Sequence, residues 1–339
     1  MSDRVIITNL EEAQKGFLKR QEHGEAARVP TGIDALDEQT GGWYPGELCV
    51  LGARPAMGKT GLVLSFMANM IAEEQPVAIF AAYDLADEYF LAKTICAVNN
   101  QEIPRTAQER IKLLRAADMG NIPLYLCPES ELTTSIIRRK AEILIREKGV
   151  RCVFILDVQL VFMAEENGHT CEGSRRICHE LKMMAREFNV PFVVTSNLNR
   201  SPENRKYPMG RQPRIDDLAG IFGLEQEADS VYLLWRPEYY GIYEDDRGHD
   251  LRGLGEILVV KSNFGATGEY YLRYKPYKQT FENLDGSSRE KKIKERKRQA
   301  ILDRLSQNEN FHRLSKDFQL YLLRDAMEKE GYENNEPPF

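Results

Sequence analysis

The most constraining feature of this sequence is a small-residue loop that follows an apolar run. The loop reads A-R-P-A-M-G-K-T over Ala53–Thr60, after the apolar run Leu48–Leu51, and an apolar-periodic segment begins near Leu62. A strand, a loop ending in Gly-Lys-Thr and a helix, in this order, form the setting of a phosphate-binding P-loop. Backbone N–H groups of such a loop converge on phosphates at a helix N-terminus. We therefore expect nucleotide binding, although Ala53 stands where the general pattern has glycine.

The residues of this loop divide into those that surround the phosphates and those that act on them. Lys59 is expected to reach the outer phosphates of ATP, and the Thr60 hydroxyl to ligate Mg²⁺. The predicted nucleotide-binding residues are Ala53, Arg54, Pro55, Ala56, Met57, Gly58, Lys59, Thr60 and Gly61.

Composition excludes several classes of protein. The chain has 339 residues, 42% of them hydrophobic, which suits one large globular domain with extensions. No apolar stretch approaches the roughly 20 residues that cross a bilayer, and the first residues do not begin a signal peptide, so we expect a cytoplasmic protein without a membrane partner. The net charge of -6 argues against a uniformly basic surface, but is compatible with a small basic channel in an assembly. The six cysteines lack C-x-x-C spacing, and we expect no metal beyond Mg²⁺.

Short apolar runs and amphipathic segments alternate from Thr31 to about Leu284. This alternation predicts an α/β fold with a mostly parallel twisted sheet flanked by helices, and closely spaced later strands predict antiparallel hairpins at one edge. The predicted strands are 47–53, 77–82, 123–127, 151–157, 190–196, 230–235, 255–260 and 269–274. The predicted helices lie near 60–74, 86–98, 106–118, 132–148 and 173–188.

Three regions follow from these patterns. Residues 1–30 contain a charged helix and a linker, which form either a frayed terminus or an arm that docks on a neighbouring subunit. Residues 31–285 form the ATPase domain, and residues 286–339 form a charged helical tail. The basic run Arg289–Arg298 in this tail favours a solvated helix face over a nucleic-acid contact.

Two carboxylates follow apolar strands at places where a nucleoside triphosphatase needs them. Asp157 follows the apolar residues Val153–Leu156, and it is expected to hold the metal ion rather than to cap a helix. Asp84 follows the apolar run Val77–Phe80, and it could activate water at the same edge of the sheet. A helix N-cap is the competing explanation for Asp84, because aspartate caps helices well.

A series of short segments extends the P-loop pattern along the chain. They are T-G-I-D-A-L-D at 31–37, T-G-G at 40–42, P-G-E-L at 45–48, S-N-L-N-R-S at 196–201, L-E-Q-E-A-D at 224–229, R-P-E-Y-Y at 236–240, Lys261, and G-A-T-G at 265–268. Together with the P-loop they resemble the motor domain of DnaB-type replicative helicases, which has a RecA-like fold. The RadA and KaiC groups share part of the pattern and remain alternatives.

The resemblance spans roughly residues 7–284, and the helicase family's N-terminal domain has no counterpart in this sequence. The resemblance implies a homo-oligomer, expected to be a hexamer, with ATP at the subunit interfaces and single-stranded DNA in a central channel. It also implies partners such as a helicase loader or other replication proteins. The segment before the ATPase domain resembles the family's linker helix, which docks on the next subunit.

Residue roles carry over by position. The resemblance implies catalytic roles for Lys59, Asp84, Asp157 and Lys261, the last from the adjacent subunit. Thr60 and Asp157 would hold Mg²⁺, and Arg54 would add positive charge near the nucleotide. The 200–214 segment, which we call the basic segment, could neutralise DNA phosphates or form a solvated loop. Its candidate DNA-binding residues are Arg200, Arg205, Lys206, Arg211 and Arg214.

Four departures from the family pattern concern the catalytic machinery. Asp84 stands at a glutamate position, Asn197 at a glutamine position, and Asn263 at the position of the arginine finger, while Ala219 replaces a DNA-contacting arginine. Loss of an arginine finger outweighs the other changes, because such a finger contributes about 10³–10⁵ in rate.

Two explanations follow from these departures. In the first, the chain is a divergent helicase that moves along or unwinds DNA and has relocated its finger. The candidates for that finger are Arg247, Arg252 and Arg273. In the second, the chain is a helicase-derived module that binds ATP but hydrolyses it weakly. We favour the first.

Overall fold

The computed structural model describes residues 14–15 and 28–284, except 86, 118–119, 121, 166–169, 206–208, 219–222 and 246–247. The chain divides into two units, Met1–Asp285 and Gly286–Phe339, and every described residue belongs to the first. The predicted N-terminal arm lies almost wholly outside the described residues, as does the whole charged tail, so both stay predictions. No helix in the described part is long and apolar enough to cross a membrane.

The described chain folds into nine strands and eight α-helices. The strands are β1 (Leu48–Ala53), β2 (Val77–Ala81), β3 (Leu124–Pro128), β4 (Cys152–Ile155), β5 (Phe192–Asn197), β6 (Ser230–Trp235), β7 (Leu254–Ser262), β8 (Gly268–Lys275) and β9 (Thr280–Glu282). The helices are α1 (Asp34–Thr40), α2 (Lys59–Ala72), α3 (Glu88–Asn99), α4 (Ala107–Ala116), α5 (Thr134–Lys148), α6 (Val158–Ala164), α7 (Cys171–Phe188) and α8 (Leu224–Glu227). Short 3₁₀ turns lie at Ser201–Asn204, Met209–Arg211, Ile215–Leu218 and Pro237–Tyr240.

All strands join one sheet in the order β3-β2-β4-β5-β1-β6-β7-β8-β9. The strands from β3 to β6 run parallel, and β7, β8 and β9 add an antiparallel meander at one edge. The predicted mostly parallel α/β sheet with an antiparallel edge is therefore confirmed. Each of the eight predicted strands agrees with an observed strand to within two residues at either end.

The central strands are apolar on both faces because helices cover both faces of the sheet. In β1, Cys49 and Leu51 face a cluster that includes Phe66 of α2, whereas Leu48 and Val50 face a cluster that includes Leu181 of α7. Strands buried on both sides read as continuous apolar runs, which explains why the sequence pattern located them well.

Four short elements have no strong pattern and were not predicted, namely α1, α6, α8 and β9. Strand β4 ends at Ile155, before the predicted end at 157, because the backbone turns at Asp157 to begin α6. Strand β9 is held by Phe281, which is buried against the P-loop side of the sheet. Local propensity carries little information about elements this short, since tertiary contacts determine them.

The topology places the carboxyl ends of β2, β4, β5 and β1 side by side along one edge of the sheet. We call this edge the P-loop edge and the opposite one the amino edge. Strands lie about 4.8 Å apart, so the exits of β2 and β1 are separated by roughly 14 Å. Ligands of open α/β sheets bind in this kind of crevice.

Candidate nucleotide site

The P-loop joins β1 to α2 with a backbone that depends on glycine. Gly58 has φ 101° in the left-handed region, and a Cβ atom at this position would lie 3.1 Å from the Phe281 ring. Ala56, also in the left-handed region with φ 64°, is exposed at the tip of the loop. A Cβ atom at Gly61 would lie 2.2 Å from the carbonyl oxygen of Gln279, so α2 needs glycine to pack against the turn before β9. Side chains at Gly58 and Gly61 would therefore run into Phe281 and Gln279, whereas the tip of the loop at Ala56 is exposed.

Lys59 is the first residue of α2, and its half-buried ammonium group has a defined partner. Its Nζ donates a 2.6 Å hydrogen bond to Oδ1 of Asn197, the last residue of β5. Burial lowers the pKa of Lys59, the nearby Asp157 carboxylate opposes this shift, and the Arg54 charge adds to it. The strand register pairs Ala53 with Asn197, which explains how a side chain from the end of β5 reaches the P-loop lysine.

Asp157 lies between β4 and α6 in an unusual backbone conformation. Its φ is 53° and its ψ is 69°, a left-handed conformation that non-glycine residues seldom adopt. Its N–H donates a 2.8 Å hydrogen bond to Oγ1 of Thr195 on the neighbouring strand. Strained positions of this kind cluster at functional sites, and the geometry turns Asp157 out of its strand beside the P-loop.

Asp84 is exposed in the loop after β2, beside an open cleft of about 350 Å³. The cleft is lined by Ala82, Tyr83, Asp84, Pro128, Glu129 and Ser130. The competing explanation for Asp84 was wrong, because the N-cap of α3 is Asp87, which accepts hydrogen bonds from the N–H groups of Tyr89 and Phe90. Burial, and then the Asp157 charge, raise the pKa of Tyr83, which places the cleft next to Asp157.

The residues at this edge fit a nucleotide-bound divalent cation. Thr60 lies in the first turn of α2, and Asp157 lies at the exit of β4. No group of three or more His, Cys, Asp or Glu residues within the described chain could hold a metal ion by itself. A hydroxyl and a carboxylate, as supplied by Thr60 and Asp157, are ligands of the kind that bind a divalent cation together with substrate phosphates and water.

Arg54, in the P-loop, makes its hydrogen bonds to the chain that follows β5. Its guanidinium group donates from Nη1 to the Leu198 carbonyl at 2.6 Å, and from Nε and Nη2 to Oε1 of Glu203 at 2.9 and 2.6 Å. The expectation that Arg54 adds charge near the nucleotide stays a prediction, and its hydrogen bonds go to the chain after β5.

Lys261 lies at the amino edge, away from the P-loop of its own chain. It is in register with Val231 of β6, which in turn is in register with Val50 of β1, three residues before the strand ends at Ala53. Each residue of a strand advances about 3.3 Å, so Lys261 lies roughly 10 Å behind the P-loop along the strands and two strands to the side. Its Nζ donates to the carbonyl oxygens of Glu225 and Gln226 at 2.8 and 3.3 Å.

Asn263, at the position of the family's finger, is bonded inward. Its Nδ2 donates to Oδ1 of Asp229 at 3.2 Å, and the other oxygen of Asp229 pairs with buried Lys182. Among the candidates for a relocated finger, Arg252 and Arg273 lie near Leu254, at the end of β7 that faces the P-loop edge. They are therefore far from Lys261, and Arg247 lies outside the described residues.

The basic segment is only partly free to meet a ligand. Arg200 and Arg214 are exposed, whereas Arg205 pairs with buried Asp217 at 2.7 Å. Arg211 lies over the Tyr240 ring, 5.7 Å from its centroid. Lys206 lies outside the described residues, as does Ala219. Arg205 and Arg211 are thus tied to the protein itself, contrary to a simple phosphate-facing loop.

Several contacts at this site were not predicted from the sequence. Asn197 contacts Lys59, Thr195 positions Asp157, and Gln159 donates to the Asn197 carbonyl at 3.2 Å and to Oγ of Ser196 at 3.1 Å. The available signal was their position at or just after strand ends. Cysteines play no part here, since five of the six are buried free thiols and Cys171 is exposed.

Comparison with known proteins decides between the families that share a P-loop of this kind. The family model described as "DnaB-like helicase C terminal domain" matches residues 28–283. The chain belongs to the DnaB-like helicase C-terminal domain family. The RadA-like and KaiC-like alternatives are not favoured.

Named relatives agree with this membership. The chain is 29% identical over 283 residues to the replicative DNA helicase DnaB of Pasteurella multocida (strain Pm70), covering 78% of this chain and 57% of that protein. It is 28% identical over 274 residues to the replicative DNA helicase DnaC of Bacillus subtilis (strain 168), covering 77% of this chain and 58% of that protein. This member of the DnaB-like family thus spans less than two thirds of the length of these relatives.

Solved structures support the fold of the DnaB-like domain. One solved structure, described as an ATPase domain, superposes with a TM-score of 0.66 at 24% identity, covering 82% of this chain and 100% of that one. A structure of a DnaB-like replicative helicase and its interactions with primase superposes with a TM-score of 0.65 at 24% identity, covering 84% and 68%. The predicted RecA-like architecture of the DnaB-like domain is therefore confirmed.

Proposed function

We propose that this chain is the ATP-hydrolysing motor of a DNA helicase or translocase. In this proposal it works as a homo-oligomer, a hexamer by analogy with its family, and binds single-stranded DNA in a central channel. ATP binds at the P-loop of one subunit, and Lys261 of the next subunit completes the binding site. The names of its relatives, replicative DNA helicases, support DNA as the polymer.

The observation that carries the proposal is the division of the catalytic side chains between two edges. Lys59, Asp157 and Asp84 follow strands that end at the P-loop edge, whereas Lys261 lies at the amino edge. A lysine so far from the P-loop of its own chain can act on a nucleotide only if another subunit presents it. A site built at a subunit interface accounts for both positions.

The chain's own groups would divide the work of phosphoryl transfer. Lys59 would exchange Asn197 for the outer phosphates, and Asp84 would orient the attacking water from the open cleft. Thr60 and Asp157 would hold Mg²⁺, which when bound would supply positive charge against the phosphates. Lys261 of the adjacent subunit would stabilise negative charge that develops during transfer, since catalysis of this reaction consists mainly of positioning and electrostatics.

The basic segment is the proposed DNA contact. It follows β5 directly, so its first residue, Arg200, is three positions from Asn197 at the P-loop lysine. Exposed Arg200 and Arg214 would neutralise phosphates, and DNA affinity would then fall as salt rises.

A DNA-stimulated ATPase assay tests the proposal. Turnover of Mg·ATP should rise when single-stranded DNA is added, and the rise should vanish in Lys59→Ala. The matched control is Lys148→Ala, which removes an exposed lysine at the end of α5 and should behave like the wild-type chain. Tight ATP binding with negligible turnover, with or without DNA, would contradict the proposed motor and favour an ATP-binding module instead.

A further inference from the structure

We propose that Glu203 is a positioning residue that couples the P-loop to the basic segment through Arg54. The proposal rests on the function proposed above and deepens it. In this coupling, nucleotide binding at the P-loop changes the affinity of the basic segment for nucleic acid. Binding of nucleic acid to the segment in turn changes the affinity for nucleotide.

The contact itself is specific in its geometry. Arg54 follows the last residue of β1, and its side chain is only 14% exposed. Three of its hydrogen bonds cross to the chain that leaves β5, two to one oxygen of Glu203 and one to the Leu198 carbonyl. These acceptors lie on either side of Arg200, so Arg54 fixes the first turn of the basic segment to the P-loop.

A second set of contacts, all made to Asp217, links the two ends of the same segment. Buried Asp217 accepts hydrogen bonds from Nη2 of Arg205 at 2.7 Å and from the N–H of Arg214 at 2.7 Å. Its own carbonyl accepts from the N–H of Asn199 at 2.9 Å. Asp217 therefore joins the start of the segment to its end, while Arg54 joins the start of the segment to the P-loop.

The contact between Arg54 and Glu203, which we call the bridge, would transmit movement of the P-loop to the basic segment. A P-loop that closes on phosphates moves Arg54, and Arg54 carries Leu198 and Glu203 with it. Arg200, between these two acceptors, moves with them, and Asp217, which is bonded to Asn199, Arg205 and Arg214, passes the displacement on to Arg214. Because binding free energies are linked, nucleic acid bound to the segment must change nucleotide affinity by the same factor.

The competing explanation is that this ion pair only stabilises the fold, and the exposure of the Glu203 side chain argues against it. The Glu203 side chain is 42% exposed, and exposed ion pairs contribute little to the stability of a fold. Replacing Glu203 with glutamine should therefore leave the folded state intact, which allows coupling to be measured without interference from unfolding.

The experiment measures a coupling factor by fluorescence anisotropy of a labelled oligo-thymidine. Its affinity is measured with and without a non-hydrolysable Mg·ATP analogue, for the wild-type chain and for Glu203→Gln. Allosteric coupling is typically about 5–150-fold. We expect the factor to fall towards one in Glu203→Gln, while affinity for the analogue without DNA changes by less than about twofold. Glu187→Gln, which removes the same charge from the exposed ion pair with Arg138, is the matched control and should keep the wild-type factor.

A second readout needs no DNA. Hydrogen exchange of the amides in 199–205 should respond to the analogue in the wild-type chain, and this response should be lost in Glu203→Gln. Wild-type coupling and wild-type exchange in Glu203→Gln would overturn the bridge. If the wild-type chain shows no nucleotide effect on DNA binding, the proposed function fails. The exchange measurement still tests the bridge in that case. Loss of the exchange response in Glu203→Gln supports the bridge, and persistence of the response contradicts it.

Discussion

The two edges of the sheet both carry charged side chains, but these side chains differ in their burial and in their partners. At the amino edge, Asp229 accepts from the N–H of Leu48 at 2.8 Å, from Lys182 and from Asn263. Glu47, next to it, accepts from the N–H of Tyr44 at 2.8 Å and from the Ser230 hydroxyl. This network is buried and closed.

At the P-loop edge several groups are more accessible. Asp157 and Ala56 have left-handed backbones, and the Oε1 atom of Gln159 is buried without a hydrogen-bond partner in the described structure. Asp84 faces an open cleft. The carboxylates of the amino edge are buried and paired, whereas Asp84 is exposed, so accessibility supports the proposed chemical site at the P-loop edge.

Removing the P-loop lysine should produce the largest change. Lys59→Ala should lower ATP turnover by about 10³-fold, because loss of one preorganised donor to a developing charge costs about that much. Steady-state ATPase rates with saturating single-stranded DNA measure the effect, against Lys148→Ala as control. A loss below tenfold would show that the contrast between the edges does not mark the chemistry.

Removing the lysine at the amino edge should also abolish most turnover, by roughly 100-fold. Lys261 bonds only backbone carbonyls of α8 in the described structure, so we expect little loss of stability. Mixing Lys261→Ala with Lys59→Ala subunits should restore part of the activity, because some interfaces then combine an intact Lys59 with an intact Lys261. The control mixes Lys59→Ala with the double variant, in which no interface has Lys59. Equal rates in both mixtures would place Lys261 outside the active interface.

Breaking the closed network should cost stability rather than rate. Asp229→Asn leaves the buried Lys182 ammonium without its counter-charge, and loss of one partner of such a pair costs about 3–5 kcal/mol. Urea unfolding measures the change, and Glu187→Gln, in an exposed ion pair, should cost less than about 0.5 kcal/mol. A cost for Asp229→Asn no larger than that control would mean that the amino edge is not a stabilising scaffold.

The pH dependence of stability also tests whether the amino edge is a buried scaffold. Burial is the main cause that raises the pKa of Glu47 from 4.5 to about 7. The folded protein thus holds the proton on Glu47 more tightly than the unfolded chain does. The resulting stabilisation of the fold is complete below pH 4.5 and is lost as pH rises through 7. Between those values the free energy of unfolding should fall by up to about 3 kcal/mol on account of Glu47.

Glu47→Gln should flatten this slope without abolishing it, because the pKa of Glu256 is also raised to about 7, by burial and by Glu269. Urea unfolding at several pH values measures the slope. Glu38→Gln, at an exposed position in α1, is the charge-matched control and should keep the wild-type slope. An unchanged slope in Glu47→Gln would show that Glu47 is ionised in the folded protein at neutral pH.

Much of the fold and the centre of the site could be predicted from the sequence. The strands are apolar on both faces, and Lys59, Thr60 and Asp157 follow strand ends in a pattern that only a P-loop protein needs. The directions of long side chains could not be predicted. Arg54 turns to Glu203, and Arg205 turns to Asp217, because their partners come from loops that approach only in the folded chain.

Register was the other missing information. The sequence indicated Lys261 as a charge acting from another subunit, but only the antiparallel pairing of β7 with β6 puts this residue at the amino edge. Similarly, Asn197 looked like a shortened version of the family's glutamine. The pairing of β5 with β1 brings it to Lys59.

The smallest predicted effect separates two neighbouring aspartates that follow β2. Asp87 accepts from the N–H groups of Tyr89 at 2.8 Å and Phe90 at 2.9 Å, so Asp87→Ala should cost about 1 kcal/mol of stability through loss of the N-cap. Exposed Asp84 does not cap this helix, and Asp84→Ala should change stability by less than about 0.5 kcal/mol. Turnover should show the reverse order, because only Asp84 borders the cleft beside Asp157. Thermal or urea unfolding combined with ATPase rates distinguishes the two residues. If Asp84→Ala loses stability but keeps its rate, Asp84 belongs with the scaffold, and the water-orienting role must pass to another group at this edge.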